Sequence, residues 1–506
     1  MRYNNPVIKG FYPDPSVCKV DSTYYLVCSS FQYFPGVPIF ESQDLINWTQ
    51  IGHCLTRKSQ IQLDSVGSSG GVFAPTLRYN HGRFYMTTTN DTTHQNFYVW
   101  TDDIYGEWSE PINVDQGGID PDLYFEDGKS YFMSNGTDDY GIPGIVQCKI
   151  EIESGRKLSP SRSVWQGSGG RYLESPHLYK INGRYYLMAA EGGTEYGHMV
   201  TYARGDSPSG PFEAYANNPV LTNRNLGGYE LQGVGHGDLI QDHEGNWWLL
   251  HLGFRQTGQY LTYHHLGREV FLTPITFGED GWFTAGHQGT TLLSFETDRI
   301  ADTVSQQEKK VFNFENTDWN LDWVYLRHPA KEHYQLEADK IKLQGTGVSL
   351  DLPASPTFIG IRQKDFNAVI TCEVSLTSGE AGITVYMDEN HHYDLALRGQ
   401  QQGYEVIERL NIGDIKSIEK ALVLEQTNQA TLIIKSTPTH YRFYVQIKGT
   451  ETFLGAAQTR YLSSEVAGGF TGVLIGLYAV GDTPDSHAVF TGFNCEYLTA
   501  DSPKED

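Results

Sequence analysis

Three acidic residues in short proline-containing segments are the first candidates for chemistry. Asp14 lies in YPDPS, Asp120 in IDPDL and Glu174 in LESPHL. Hydrolysis of a glycosidic bond uses such groups: one carboxylic acid protonates the leaving oxygen, and one carboxylate acts on the opposite face of the sugar. When the two lie about 6.5–9.5 Å apart, a water fits between them and the anomeric centre inverts. Asp120 could raise the pKa of Glu174 by like-charge repulsion, which would keep Glu174 protonated near neutral pH.

Taken singly, each of these residues has an ordinary structural interpretation. An isolated Asp-Pro pair usually starts a turn or a strand, and Glu174 could cap a turn. The chemistry therefore depends on whether the fold brings the three side chains together.

An internal repeat indicates the architecture that would do so. Five segments share a turn, aromatic residues and a large apolar residue, and they recur at intervals of roughly 45 to 60 residues, which is the range of a β-propeller blade. They are STYYL (22–26), GRFYM (82–86), GKSYFM (128–133), GRYYL (183–187) and GNWWL (245–249).

The sequence upstream of each repeat is also in register. A proline stands ten residues before the second aromatic position of four repeats, and a glycine stands eleven before that of the fifth: Pro15, Pro75, Pro121, Pro176 and Gly237. A proline suits the first residue of a strand, because the ladder does not need its missing N–H there. If each segment begins the innermost strand of a blade, one axis is surrounded by Asp14, Ala74, Asp120, Glu174 or Ser175, and His236.

The repeat stops after Trp282, and a different pattern follows. Glu296 to Lys310 is polar, and alternating strands then run from VFNF (311–314) to GVLIGLYAV (472–480), separated by turns, as in a β-sandwich. A chain of 506 residues is expected to form two domains. We predict an all-β protein with a five-bladed β-propeller in residues 1–295, a linker in 296–310 and a β-sandwich (concanavalin-like) domain in 311–506.

The composition argues against several classes of partner. A net charge of −24 disfavours nucleic acid and anionic membranes, because both are bound through basic patches. No run approaches the roughly 18 apolar residues of a membrane span, and residues 1–11 lack the apolar core of a secretory signal. Six scattered cysteines without a CxxC pair suit a reducing compartment. We expect a cytoplasmic protein with no nucleic-acid or membrane partner, acting on small imported oligosaccharides.

Four further residues are candidates for binding. His236 in GVGHGDL could coordinate a hydrated cation on the axis, although a lone histidine is more often structural. Arg268 in HHLGREV could anchor a sugar hydroxyl or the modulating carboxylate by a charged hydrogen bond, or form a surface ion pair. Phe31 and Phe73 could line the apolar side of a sugar or belong to the core.

Several long segments are similar to glycoside hydrolase family 43. The likeness covers nearly the whole propeller and, more weakly, the sandwich of the family's two-domain β-xylosidases and α-L-arabinofuranosidases. The segments are NPVIKGFYPDPS (5–16), SSFQYFPGVPIFESQDLINW (29–48), GGVFAP (70–75), GGIDPDL (117–123), RYLESPHLYK (171–180), AAEGGTEYGH (189–198), GVGHGDL (233–239) and HHLGRE (264–269).

The resemblance implies a role for each candidate. Asp14 matches the general base, Asp120 the pKa-modulating aspartate and Glu174 the general acid of an inverting mechanism. Arg268 matches the arginine that contacts the substrate, and His236 matches an axial histidine that in many members lies near a calcium or another ion. The chemistry itself requires no cofactor. The resemblance also implies exo action, because the sandwich helps close one side of the pocket, and it suggests a homo-oligomer.

Two features favour one branch of the family. Phe73 stands where dedicated β-xylosidases have tryptophan in GG-x-W-A-P, and GGIDPDL and GSGGRYLESPH (167–177) look like the branch rich in arabinofuranosidases. We expect release of terminal α-L-arabinofuranosyl residues from arabinoxylan- or arabinan-derived oligosaccharides. β-D-Xylosidase activity, alone or in addition, is the alternative, since one pocket residue is worth about 1–3 kcal/mol of discrimination.

Two other classes of protein share parts of this pattern. The invertase or fructosidase group also uses three acidic residues on five blades, but it retains configuration, and the sequence lacks the Asn-Asp-Pro-Asn-type segment expected of that group. A non-catalytic carbohydrate-binding propeller would have no use for all three axial carboxylates.

Overall fold

The computed structural model describes residues 2–298, 320–337, 339–424 and 427–498, and most of them lie in antiparallel β-sheets. Five four-stranded sheets come first and two larger sheets follow. The predicted all-β fold, a five-bladed propeller followed by a sandwich, is confirmed. Residues 299–310 of the predicted linker and the segment VFNF (311–314) lie outside the described residues.

Each propeller blade consists of four strands that are consecutive in its sheet. Blade 1 contains Ser16–Val20, Thr23–Val27, Gly36–Ser42 and Thr49–Leu55. Blade 2 contains Thr76–Asn80, Arg83–Asn90, Gln95–Thr101 and Ile112–Val114. Blade 3 contains Asp122–Glu126, Lys129–Thr137, Pro143–Ile150 and Arg162–Trp165. Blade 4 contains Glu174–Ile181, Arg184–Glu191, Met199–Gly205 and Phe212–Ala214. Blade 5 contains Leu231–Gln241, Trp247–Arg255, Glu269–Phe277 and Phe283–Ala285.

Short strands tie the two ends of the propeller together and connect it to the sandwich. Arg2–Asn4 pairs with Ser294–Glu296, so the two ends of this part of the chain meet. Tyr33–Phe34 pairs with Tyr325–Leu326, which precede the sandwich strands.

The repeated aromatic residues pack between neighbouring blades. Tyr25 of blade 1 meets Phe84 of blade 2 edge to face, with ring centroids 5.4 Å apart. Tyr85 of blade 2 lies 5.2 Å from Phe125 of blade 3, measured in the same way. Rings in these arrangements bury large apolar surfaces and add a favourable edge interaction. The aromatic residues of the sequence repeat therefore make the contacts that join one blade to the next.

The axial prolines lie close to the strand starts, but not at the predicted position. Pro15, Pro75 and Pro121 stand one residue before their strands. Pro176 lies inside Glu174–Ile181, where the pairing register slips between Glu174 and His177. That slip leaves the proline without a ladder hydrogen bond to make, which is how a strand accommodates it.

A buried network of charges and hydrogen bonds fills the propeller axis, and every blade contributes to it. The Arg78 Nε lies 3.0 Å from Asp122 Oδ1, and its Nη1 lies 2.9 Å from Asp238 Oδ2. The Arg78 Nη2 lies 3.0 Å from the ring Nδ1 of His177. The Ser16 hydroxyl donates to Asp238 Oδ2 over 2.7 Å. Both carboxylates are fully buried, so the guanidinium supplies the counter-charge that their burial requires.

The sandwich consists of a seven-stranded and a six-stranded sheet. The first contains, in spatial order, Tyr334–Glu337, Lys340–Gln344, His487–Tyr497, Ala368–Leu376, Gln429–Ser436, His440–Ile447 and Thr450–Gln458. The second contains Thr357–Arg362, Leu474–Val480, Glu380–Asp388, His391–Gly399, Tyr404–Ile412 and Ile415–Leu424. Alternate residues of Ala368–Leu376 are buried, as expected for a strand with one face on a core.

Helical structure in the described part of the chain is limited to four short elements. Three are 3₁₀ turns, Asp91–Thr93, Lys331–His333 and Thr459–Leu462, and one is an α-helix, Ser464–Ala467. Among the described residues no helix has the length and apolar character needed to cross a membrane.

The sandwich is docked on the propeller through an apolar interface. Phe11, Phe31 and Tyr33 of the propeller share one buried cluster with Phe358 and Leu474 of the sandwich. Because apolar burial is the main favourable term in such contacts, the interface fixes the sandwich segment 464–470 beside the mouth of the propeller channel.

Replacing Arg78 by methionine is expected to destabilise the propeller by about 3–5 kcal/mol, because Asp122 and Asp238 would stay buried without their counter-charge. The shift of the urea unfolding midpoint measures this loss. Arg184→Met is the matched control, since Arg184 pairs with Asp206 at the surface and its loss should cost under about 1 kcal/mol. Equal losses in the two variants would contradict the account of the axial network.

Candidate active site

One cavity of about 540 Å³ opens at the end of the propeller channel. Every residue that the sequence singled out for chemistry or binding lines it: Asp14, Phe31, Phe73, Asp120, Glu174, His236 and Arg268. The cavity also has residues from the sandwich in its wall, including Glu465 and Phe470.

Most axial positions share an unusual backbone conformation. The φ angle is 56° at Asp14, 54° at Asp120, 53° at Ser175 and 49° at His236. A left-handed conformation at a residue other than glycine costs on the order of 1–3 kcal/mol and persists only where the surrounding structure holds it. The three that precede a proline are further disfavoured, because that position prefers an extended backbone. By this criterion Ser175 occupies the repeat position in blade 4, and Glu174 lines the cavity from one residue earlier.

Asp14 is a charged carboxylate with three close neighbours. The Arg268 Nη1 lies 2.9 Å from Asp14 Oδ1, and the Ser29 hydroxyl donates to the other oxygen. The ring Nδ1 of His236 lies 3.7 Å from Asp14 Oδ1. Burial alone would raise the pKa of Asp14, but the charge of Arg268 and the Ser29 hydrogen bond lower it below its usual value. Asp14 is therefore ionised across the neutral range.

Glu174 has the opposite protonation behaviour. Burial raises the pKa of Glu174 to about 7, the negative charge of Asp14 adds to the increase, and Arg268 opposes it. The pKa of Asp120 is also raised well above its usual value, by burial first and then by the charges of Glu174 and Asp14. The sequence predicts repulsion between Asp120 and Glu174, and the two groups do interact: the charge of Glu174 raises the pKa of Asp120, and the charge of Asp14 raises the pKa of both groups.

Oppositely shifted carboxyl groups in one cavity constitute an acid and a base. Asp14 can accept a proton, and Glu174 can donate one near neutral pH. Together they suit bond cleavage in which one oxygen gains a proton while a water loses one.

Arg268 pairs with Asp14, the predicted base, and not with Asp120, the predicted modulating carboxylate. Besides Asp14, it donates to the Thr194 hydroxyl over 2.9 Å and to the carbonyl oxygen of Phe470 over 3.2 Å. Its guanidinium therefore links three parts of the cavity wall that are distant in sequence. The pairing requires the fold, since no local motif places Arg268 near Asp14.

The surroundings of His236 do not fit the calcium ion that the resemblance implies. Calcium prefers six to eight oxygen ligands, and Asp14, the carboxylate beside His236, is already paired with Arg268. Burial lowers the pKa of His236 to about 4 and that of its neighbour His198 to about 3, so both rings are neutral. Among the described residues no group of three or more His, Cys, Asp or Glu side chains could hold a metal.

Three phenylalanines form an apolar wall of the cavity. Phe31 lies 5.6 Å from Phe73 and 6.2 Å from Phe470, measured between ring centroids. The Arg268 guanidinium carbon lies 5.7 Å from the Phe31 ring centroid. Phe470 belongs to the sandwich, so sequence periodicity within the propeller could not reveal its place in the site.

The mouth of the cavity is also built across the two domains. Glu465, in the helix Ser464–Ala467, accepts a hydrogen bond from the Tyr196 hydroxyl over 2.9 Å, and its Oε1 lies 2.8 Å from His264 Nδ1. Burial would raise the pKa of Glu465, but the contacts with His264 lower it. Sequence analysis missed these residues, because their polar types become informative only once the domains are docked.

Comparison with known proteins supports the resemblance seen in the sequence. The family model for glycosyl hydrolases family 43 matches residues 3–283, and the model for a beta xylosidase C-terminal concanavalin A-like domain matches residues 311–496. A non-reducing end alpha-L-arabinofuranosidase, BoGH43B from Bacteroides ovatus, is 38% identical over 490 residues, covering 95% of this chain and 92% of that protein. A xylosidase/arabinosidase from Butyrivibrio fibrisolvens is 34% identical and covers 97% of this chain and 99% of that protein.

Solved structures agree with these sequence matches. The structure described as Bacteroides ovatus Xyloglucan PUL GH43B superposes with a TM-score of 0.93 at 37% identity, covering 98% of this chain and all of that one. The predicted family and the concanavalin-like class of the second domain are thereby confirmed.

Proposed function

The chain belongs to glycosyl hydrolase family 43, and we propose that it releases terminal α-L-arabinofuranosyl residues from oligosaccharides derived from arabinoxylan or arabinan. It is a glycosidase, and the proposal concerns its sugar, its mode of action and its stereochemistry. The observation that carries the proposal is that an ionised Asp14 and a protonated Glu174 line the same cavity. The arabinofuranosidase and xylosidase/arabinosidase relatives support the choice of sugar.

The chemistry follows from the two protonation states. Glu174 donates its proton to the glycosidic oxygen as the bond from that oxygen to C1 breaks. Asp14 removes a proton from a water, whose oxygen bonds to C1 from the opposite face, so that the anomeric centre inverts. Glu174 is then ionised and Asp14 protonated, and exchange with solvent restores both. Water, acid and base complete the reaction, and no cofactor enters any step.

The residues around this pair have supporting roles in the proposal. Arg268 keeps Asp14 ionised and oriented through the 2.9 Å contact. Asp120 adds negative charge beside Glu174 when ionised and favours a proton on the pair. Phe31 and Phe73 lie beside the bound sugar. Exo action is supported by the sandwich residues in the cavity wall, since a wall on that side leaves room for a chain end.

β-D-Xylosidase activity is the second candidate. α-L-Arabinofuranose and β-D-xylopyranose present similarly placed hydroxyls, and one relative is named for both activities. The three-phenylalanine wall is where discrimination would occur, because Phe73 is half-buried there and packs against Phe31.

The cellular setting is a separate proposal. We propose a cytoplasmic enzyme, supported by six cysteines that are all buried as free thiols, as is usual in a reducing compartment. Activity found in the periplasmic or secreted fraction of the producing cells would contradict it.

A homo-oligomer stays a prediction, and light scattering of the purified protein gives its mass directly.

The sugar preference is tested by kcat/KM on the 4-nitrophenyl glycosides of α-L-arabinofuranose and β-D-xylopyranose. We expect the arabinofuranoside to be preferred, and Phe73→Trp to shift the ratio toward the xyloside by about 10- to 200-fold, since a change in pocket shape is worth roughly 1–3 kcal/mol. Phe97→Trp is the control for a phenylalanine of the propeller core outside the cavity. A preference for the xyloside would establish the second candidate, and activity on neither would point to a binding module.

The stereochemistry is tested by proton NMR of the first product formed from the preferred 4-nitrophenyl glycoside. Inversion predicts that the anomer opposite to the substrate's appears first and that mutarotation then produces the other. Initial release of the substrate's own anomer would mean a retaining enzyme, with Asp14 or another carboxylate acting as nucleophile.

A further inference from the structure

Tyr172 is an exposed aromatic residue in the wall of the active-site cavity. Its side chain is 62% exposed and lines the cavity, whereas Phe31 is buried and Phe73 is half-buried. Its backbone has a φ of 53°, a left-handed conformation that costs energy for a bulky residue. Packing does not account for the placement, because so little of the ring is covered. A strained, exposed aromatic residue beside a catalytic cavity suggests a ligand contact.

The position of Tyr172 relative to the proposed acid indicates which ligand group it meets. Glu174 must contact the glycosidic oxygen to protonate it, so the leaving group lies on the Glu174 side of the cavity. Tyr172 precedes Glu174 by two residues in the segment that enters blade 4. The apolar wall of Phe31 and Phe73 belongs instead to the segments of blades 1 and 2.

Neighbouring groups hold the Tyr172 ring in place. The Arg171 guanidinium carbon lies 5.3 Å from the ring centroid, and Arg171 is itself fixed by the carbonyl oxygen of Gly192 at 3.0 Å and by the Glu195 carboxylate. A Cβ on Gly193 would lie 3.1 Å from Tyr172 Cδ2, so the glycine allows the ring to lie close to the backbone. An aromatic ring that is already ordered loses little entropy when a ligand binds.

We propose that Tyr172 is a specificity-determining residue whose ring stacks on the sugar ring of the leaving group. The Arg171–Glu195 pair beside it offers a donor and an acceptor to that sugar's hydroxyls. The inference rests on the proposed function in one respect, namely that the leaving group is itself a sugar. It assigns to Tyr172 the choice of leaving group, and to Phe73 the choice of the released sugar.

The test compares Tyr172→Ala with the native enzyme on two substrates that share the released sugar. One is an arabinofuranosylated xylo-oligosaccharide, and the other is α-L-arabinofuranosyl fluoride, which has no leaving-group sugar. Loss of one stacking contact is expected to lower kcat/KM on the oligosaccharide about 10-fold. The rate on the fluoride should be unchanged, and Tyr172→Phe should retain activity on both substrates.

Tyr140→Ala is the matched control variant. Tyr140 is 56% exposed and the Arg162 guanidinium lies over its ring at 3.5 Å, yet it does not line the cavity. It should behave as the native enzyme on both substrates.

Two outcomes would overturn the proposal. Equal losses on the oligosaccharide and the fluoride would show that Tyr172 acts through the geometry of the catalytic groups, and no loss on either would show that it does not contact the leaving group. Failure of the proposed function is distinguishable, because the native enzyme would then be inactive on both arabinosides. In that case the same comparison of Tyr172→Ala with the native enzyme would be made on xylobiose and β-D-xylosyl fluoride.

Discussion

The buried guanidinium of Arg78 is the constraint on which the rest of the propeller depends. It balances Asp122 and Asp238 from two other blades at 3.0 and 2.9 Å. Asp122 and Asp238 lie two residues after Asp120 and His236 of the cavity. Two residues of chain span at most about 7 Å, so the charges on the axis lie next to the groups that line the cavity. Separating these charges inside the protein would cost several kcal/mol, so the axial network keeps the blades in the register that the site requires.

A second arginine, Arg268, makes the protonation states of the two carboxyl groups differ. Arg268 contacts Asp14 and lowers its pKa, while Glu174, which lacks such a contact among the described residues, keeps a raised pKa because of its burial. Each unit of pKa difference corresponds to about 1.4 kcal/mol between the two protonation states. The left-handed backbone at Asp14 and Asp120 adds strain, which the axial pairs and the interblade aromatic contacts offset. The axial ion pairs and the interblade contacts thus stabilise the strained backbone on which the site depends.

The sequence predicts the propeller and its carboxylates well, because both follow a repeat. The aromatic pairs mark the interblade contacts, and the shared register brings Asp14, Asp120 and Glu174 to one cavity. The sequence could not distinguish Glu174 from Ser175 as the repeat position, since the register slip that separates them is a local irregularity of pairing.

Residues that meet only after domain docking could not be predicted from periodicity. Phe470 and Glu465 of the sandwich complete the cavity wall through contacts with residues about two hundred or more positions away in sequence. Among the residues that the structure describes, the calcium ion expected near His236 has no fitting ligand set, because the neighbouring carboxylate is engaged by Arg268.

The most direct test of this account is the pH dependence of kcat/KM on an arabinofuranosylated oligosaccharide, whose leaving group needs protonation. The account predicts a constant value from about pH 4.5 to 6, because Asp14 with its lowered pKa is ionised and Glu174 is protonated. Above the Glu174 pKa of about 7, the value should fall about tenfold per pH unit as that proton is lost. A profile that stays flat to pH 9, or an acidic limb near pH 6, would contradict the assignment of acid and base.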